Sequence, residues 1–164
     1  MKFRLEPITV IIAWWLILAV AFSQTAYADK VQLKEAVQFD QYLAPSLRDF
    51  AIEKIYNYIC DVDEYACNKL TDIDVYVPMK PIHRNYWYKG LAAENMIAIS
   101  IDSIDNHQII LHEVLHAVYD IPHIPGDKLM NAKLIYTFTC ENELRAHYYN
   151  VRNLYRIIRV LKDN

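Results

Sequence analysis

Apolar residues fall along the chain in four patterns, and each predicts a different element. Residues 8–22 form one uncharged run, with Lys2 and Arg4 before it and Ala26-Tyr27-Ala28 after it. As a helix the run spans about 22 Å, against about 30 Å of hydrocarbon in a bilayer. A basic start, a short apolar run and an A-x-A ending predict a secretory signal peptide over 1–28, cut after Ala28. The alternative is a signal anchor that stays on the chain. Both predict export of residues 29–164, to the periplasm or the medium.

Residues 31–43 are weakly helical in pattern until Pro45 interrupts. Leu47, Phe50, Ala51, Ile55, Tyr58 and Ile59 then recur at helical spacing. They predict an amphipathic helix over 46–60, with Ser46 as its N-cap. Ile73, Val75 and Val77 alternate with polar neighbours, the period of a half-buried strand that Pro78 ends. A second strand is predicted over 96–101. Between the two lies an aromatic loop, 81–90, holding His83, Tyr86, Trp87 and Tyr88.

The next helix is apolar on most sides, through Ile109, Ile110, Leu111, Val114, Leu115, Ala117 and Val118, and so belongs at the centre of the molecule. Asp105 is its expected N-cap, with Gln108 at the capping-box position, and it ends near Asp120 before Pro122. From Asp127 to Leu161 the pattern is helical again, with a break near 137–140. Leu144, Val151, Tyr155 and Ile158 form its expected inward stripe. Together these elements predict one α+β domain, mainly helical, with a small sheet.

Composition narrows the function classes. A net charge of −3 lacks the basic excess of a general nucleic-acid binder. Two glycines cannot build a Gly-rich phosphate loop, nor serve the turns of an all-β sandwich. Three cysteines, Cys60, Cys67 and Cys140, follow the export signal. Export leads to an oxidising compartment, so a local Cys60–Cys67 disulfide is expected, with Cys140 left over.

The central helix carries the chemistry: His112-Glu113-Val114-Leu115-His116 is H-E-x-x-H. Residues four apart on a helix differ by about 40°, so both imidazoles leave one face and can meet at one metal. Glu113 lies one residue round, placed to act as a general base. Two buried histidines and a carboxylate without partners would be costly, and a metal satisfies both histidines at once.

The segment Ile110-Leu111-His112-Glu113-Val114-Leu115-His116-Ala117-Val118 resembles the active-site helix of zincin metallopeptidases. The resemblance implies a zincin-like domain and a bound zinc ion held by His112, His116 and a third residue. The pattern H-E-x-x-H-x-x-G-x-x-H fails, because Tyr119 stands at the Gly position and Pro122 at the third His, leaving His123 one residue late. The gluzincin arrangement, with the third ligand on a later, C-terminal helix, fits better. It points to Glu143 in the Asn142-Glu143 pair, with Glu141 and His123 as alternatives. His147 stands where some gluzincins place an Asp that orients a histidine ligand; three roles stay open for it, a hydrogen bond from behind the ligands, stabilisation of the oxyanion, or a place on a Tyr-rich surface. Tyr148, Tyr149 and His123 are further oxyanion candidates.

The implied protein is an exported zinc metallopeptidase. Its partner would be a peptide or protein substrate, with no nucleic acid, and with membrane contact only through the signal segment. By the same resemblance, strand 96–101 should lie over the active helix and offer its edge to an extended substrate. Two other classes compete: a zinc-binding module that uses loop 83–88 to hold a partner, and a membrane-tethered structural protein. Glu113 favours hydrolysis, since a site that only binds has no need of a base.

Overall fold

The computed structural model describes residues 43–79, 89–93, 95–131 and 137–162. The expected signal segment, the 31–42 stretch and nearly all of the aromatic loop lie outside those residues. What is described is α+β and mainly helical. In chain order it has α1 (Pro45–Val62), α2 (Glu64–Lys69), β1 (Asp74–Tyr76), β2 (Gly90–Ala93), β3 (Met96–Ile99), α3 (His107–Tyr119) and α4 (Glu141–Lys162), with 3-10 turns at Leu70–Asp72 and Ile101–Ser103.

Helix α1 begins at Pro45 rather than after Ser46, with Ala44 at the N-cap and no side-chain cap bond. Proline suits the first helical position because its missing N–H would have had no partner there. The helix buries Ala51, Ile55, Tyr58, Ile59 and Val62, while Leu47 and Phe50 of the same apolar pattern stay exposed. The chain then turns sharply at Asp63 into α2, and the Cys60–Cys67 disulfide staples the two helices across the corner. Cys140 is free and exposed.

Asp63 ties this corner to the rest of the molecule. It is 3% exposed, and its Oδ1 accepts from the Tyr65 and Ala66 amides at 3.1 and 3.2 Å, capping α2. Its Oδ2 accepts from Tyr119 at the end of α3 and from Tyr148 on α4, each at 2.7 Å. Arg152 of α4 completes the set at 2.8 Å. Burial pushes the Asp63 carboxyl up, but the bonds from Tyr119, Tyr148, Arg152 and the Ala66 amide outweigh it and hold the group below its ordinary value.

The sheet has the order β1-β3-β2, with β1 parallel and β2 antiparallel to β3. This corrects the expected role of the second strand. Strand β3 is the central strand, so both its edges are already bonded, and by Ile101 the chain has entered a 3-10 turn. Helix α3 packs on β2 and β3, and Ile109, Ile110, Leu111, Val114 and Leu115 all reach the core. Its N-cap is Asn106, whose side chain accepts from the Ile109 amide, while Asp105 pairs with Lys54. At its other end Asp120 takes a left-handed conformation, φ 54°, and turns the chain out of the helix. Aspartate is among the few side chains that tolerate this. Residues 127–131 then form turns rather than the expected helix. Helix α4 lies against α3 and buries Leu144, Tyr148 and Val151, with Tyr155 partly buried below them.

Candidate metal centre

Two turns of α3 and the segment that follows it bring three imidazoles to one point. His112 and His116 project from the same face of α3, and their Nε2 atoms lie 3.1 Å apart. The turn at Asp120 brings His123 back over that face, with its Nε2 3.2 Å from His116 and 3.3 Å from His112. Among the described residues this is the group of three or more donors able to share one ion.

Hydrogen bonds on the far side of two rings fix their tautomers. His112 Nδ1 donates to the Leu129 carbonyl at 2.6 Å, and His116 Nδ1 donates to the Ile121 carbonyl at 2.5 Å. A neutral imidazole carries one proton, so both Nε2 atoms present bare lone pairs to the shared point. Burial pushes both rings away from the charged form, to about 4 for His112 and about 3 for His116. Lone pairs in contact repel unless a cation lies between them. The spacing fits one: a tetrahedral ion with bonds of about 2.0–2.1 Å needs ligand atoms about 3.3–3.4 Å apart. Three neutral imidazoles are a donor set suited to zinc and to several other divalent transition ions.

One segment completes the site. Residues 120–130 supply His123 itself and both carbonyls, Ile121 and Leu129, that orient the helical histidines. The segment closes on itself through Ile124 N–H to the Met130 carbonyl at 2.8 Å.

Glu113 lies on the neighbouring face of α3, directed at β2. It is 5% exposed, and burial alone pushes its carboxyl up to about 8. Gly90 on β2 makes room for it. A Cβ at Gly90 would fall 2.5 Å from Glu113 Oε1 and 2.7 Å from Ile109 Cγ2.

The other expected site residues lie elsewhere. Glu143 is not part of the histidine group. Its carboxylate accepts from the Thr139 hydroxyl at 2.6 Å, the Thr139 amide at 3.0 Å and Lys128 Nζ at 3.0 Å, and these bonds hold it down at about 2. The physical reason is helical phase. Glu143 lines up with Asn150 and Leu154, both exposed, and not with the buried Leu144, Tyr148 and Val151. Glu141 is also committed, accepting from Tyr58, Arg145 and His107. Burial pushes Glu141 up, but the bonds from Arg145, His107 and Tyr58 prevail and hold it at about 2.

His147 bonds to Asp127, with Nε2 at 3.0 and 3.1 Å from the two carboxylate oxygens. Tyr148 and Tyr149 are taken up by structural bonds, to Asp63 and to the Val62 carbonyl, so neither hydroxyl is offered to the metal site. His123, ranked below Glu143 from sequence, is the residue the fold brings to His112 and His116. The one signal for it was its place one residue beyond the last position of the H-E-x-x-H-x-x-G-x-x-H pattern. The left-handed turn at Asp120 is what brings it back over the helix face.

Comparison with protein-family models, with curated proteins and with solved structures finds no match to this chain.

Proposed function

We propose that the chain is an exported zinc-dependent peptide hydrolase in which His112, His116 and His123 hold the ion and Glu113 is the general base. The observation that carries this is the meeting of three imidazole Nε2 atoms over the helix that also carries the buried Glu113. Three protein ligands are the number a catalytic zinc takes, with a fourth position left for water or substrate. When bound, zinc supplies Lewis-acid polarisation of the scissile carbonyl and lowers the pKa of the attacking water.

The chain's own groups do the rest. Glu113 sits where burial alone favours the protonated acid. An ion held by His112, His116 and His123 would favour the carboxylate instead. A carboxyl balanced between these influences can take a proton from water and return it to the leaving amine. Gly90 leaves the space that carboxyl occupies. With β3 paired on both sides, an extended substrate would align along β2, the strand packed nearest Glu113.

The test is Glu113→Gln, assayed on denatured casein and on a quenched-fluorescent peptide library. The variant should bind zinc as the parent does, and turnover should fall by about 10²–10⁴-fold. Turnover within about tenfold of the parent would remove Glu113 from the role of base. A parent that holds zinc but cleaves neither probe would favour the binding-module alternative.

A further inference from the structure

The segment that completes the metal centre is held at its far end by α4. Asp127 is the contact point. Its Oδ1 accepts from the Leu129 and Met130 amides, each at 2.7 Å, and both its oxygens lie within 3.1 Å of His147 Nε2. Leu129 is the residue whose carbonyl receives His112 Nδ1. An unbroken path therefore runs from α4 to a metal-binding ring: His147, the Asp127 carboxylate, the Leu129 peptide, His112. The neighbouring contact, Lys128 to Glu143, is more open, with side chains 48% and 35% exposed against 28% and 16% for His147 and Asp127. Water screens the first pair, and such pairs contribute little.

We propose that His147 is a positioning residue for the metal centre. It fixes Asp127, which fixes the turn that presents the Leu129 carbonyl to His112. The inference rests on the metal site proposed above. Without His147, Asp127 keeps its two amide bonds but loses its tie to α4. The 127–130 turn can then shift, and the imidazole it orients shifts with it. Groups behind metal ligands typically change affinity by about 10–100-fold when removed. His147 acts through two intermediaries, so the lower end of that range is expected.

The same residues set the control. Glutamine at 147 keeps an amide N–H donor at similar reach and should restore the tie to Asp127. If His147 merely supported the fold, its loss would lower stability without selectively speeding metal release.

The experiment measures zinc release from the full chain into excess chelator, and the visible spectrum of the cobalt-substituted protein. The parent, His147→Ala, His147→Gln and Asp127→Asn are compared, with urea unfolding of each metal-free form alongside. His147→Ala should release zinc about tenfold faster and alter the cobalt bands, and His147→Gln should recover most of the parent rate. His147→Ala combined with Asp127→Asn should be no faster than the faster single variant, since both break one path. A His147→Ala rate within twofold of the parent would overturn the proposal while leaving the metal site standing. A parent that takes up no zinc would overturn both. Should His147→Ala fail to fold, faster release from Asp127→Asn than from the parent supports the path, and an unchanged rate rejects it.

Discussion

Asp63 offers the sharpest test of how this fold holds its histidine-bearing helix, α3, against α4. Replacing it with alanine removes one carboxylate on which four elements converge: the α1–α2 corner, the α2 N-terminus, the end of α3 and the middle of α4. Losing an N-cap costs about 1 kcal/mol. Tyr148 is fully buried, so its stranded hydroxyl costs about 1–3 kcal/mol. Arg152 is 23% exposed on its side chain and recovers part of its hydration, which keeps its share near or below about 1 kcal/mol. The total is about 4 kcal/mol, a large part of the roughly 5–15 kcal/mol available to a domain. Urea unfolding of the metal-free protein, followed by far-ultraviolet circular dichroism, reads the change directly.

The same carboxylate sets a pH dependence. Its pKa is lowered in the folded protein, so its contribution is complete above the unfolded value of about 3.9 and is lost as pH falls through the folded value. Asp63→Asn should therefore be less stable than the parent at pH 7, and the gap should narrow below about pH 4. A loss under about 1 kcal/mol for Asp63→Ala, or a gap for Asp63→Asn that does not change with pH, would refute this role.

Two further outcomes follow from local geometry. Gly90→Ala would place a methyl carbon against Glu113 Oε1 and Ile109, so it should lower peptide turnover by at least about tenfold while zinc stoichiometry stays at the parent value; steady-state assay beside metal analysis checks both. Cys60→Ser with Cys67→Ser opens an eight-residue ring and should cost about 2.5 kcal/mol in urea unfolding, with the metal-free parent under reducing conditions losing a similar amount.

The histidine-bearing helix was legible because two signals coincide there. Its apolar residues surround it, and the H-E-x-x-H spacing puts both imidazoles on one face. The disulfide was legible for a similar reason, since two cysteines seven residues apart, after a segment read as an export signal, have few other uses. The third histidine was harder to see. It depends on the backbone at Asp120, where a left-handed residue reverses the chain, and an aspartate gives less warning of such a turn than a glycine.

On α4 the Asn142-Glu143 pair was misleading, because Glu143 shares its face with Leu154, an apolar residue that is 56% exposed. Tyr148 was read as a polar candidate because of its hydroxyl. Its ring is wholly buried, and the hydroxyl is satisfied by Asp63, a partner 85 residues away in sequence. Pairings of that range leave no periodic trace.

Zinc titration of the metal-free protein beside His123→Ala and Glu143→Ala decides the identity of the third ligand, on which the proposed chemistry stands. The parent should bind one equivalent. His123→Ala removes one of three converging donors and should weaken binding by more than about 100-fold, beyond the range of groups that act from behind a ligand. Glu143→Ala removes an exposed contact to Lys128 and should stay within about threefold of the parent. The reverse pattern, with zinc lost from Glu143→Ala and retained by His123→Ala, would contradict the three-histidine centre.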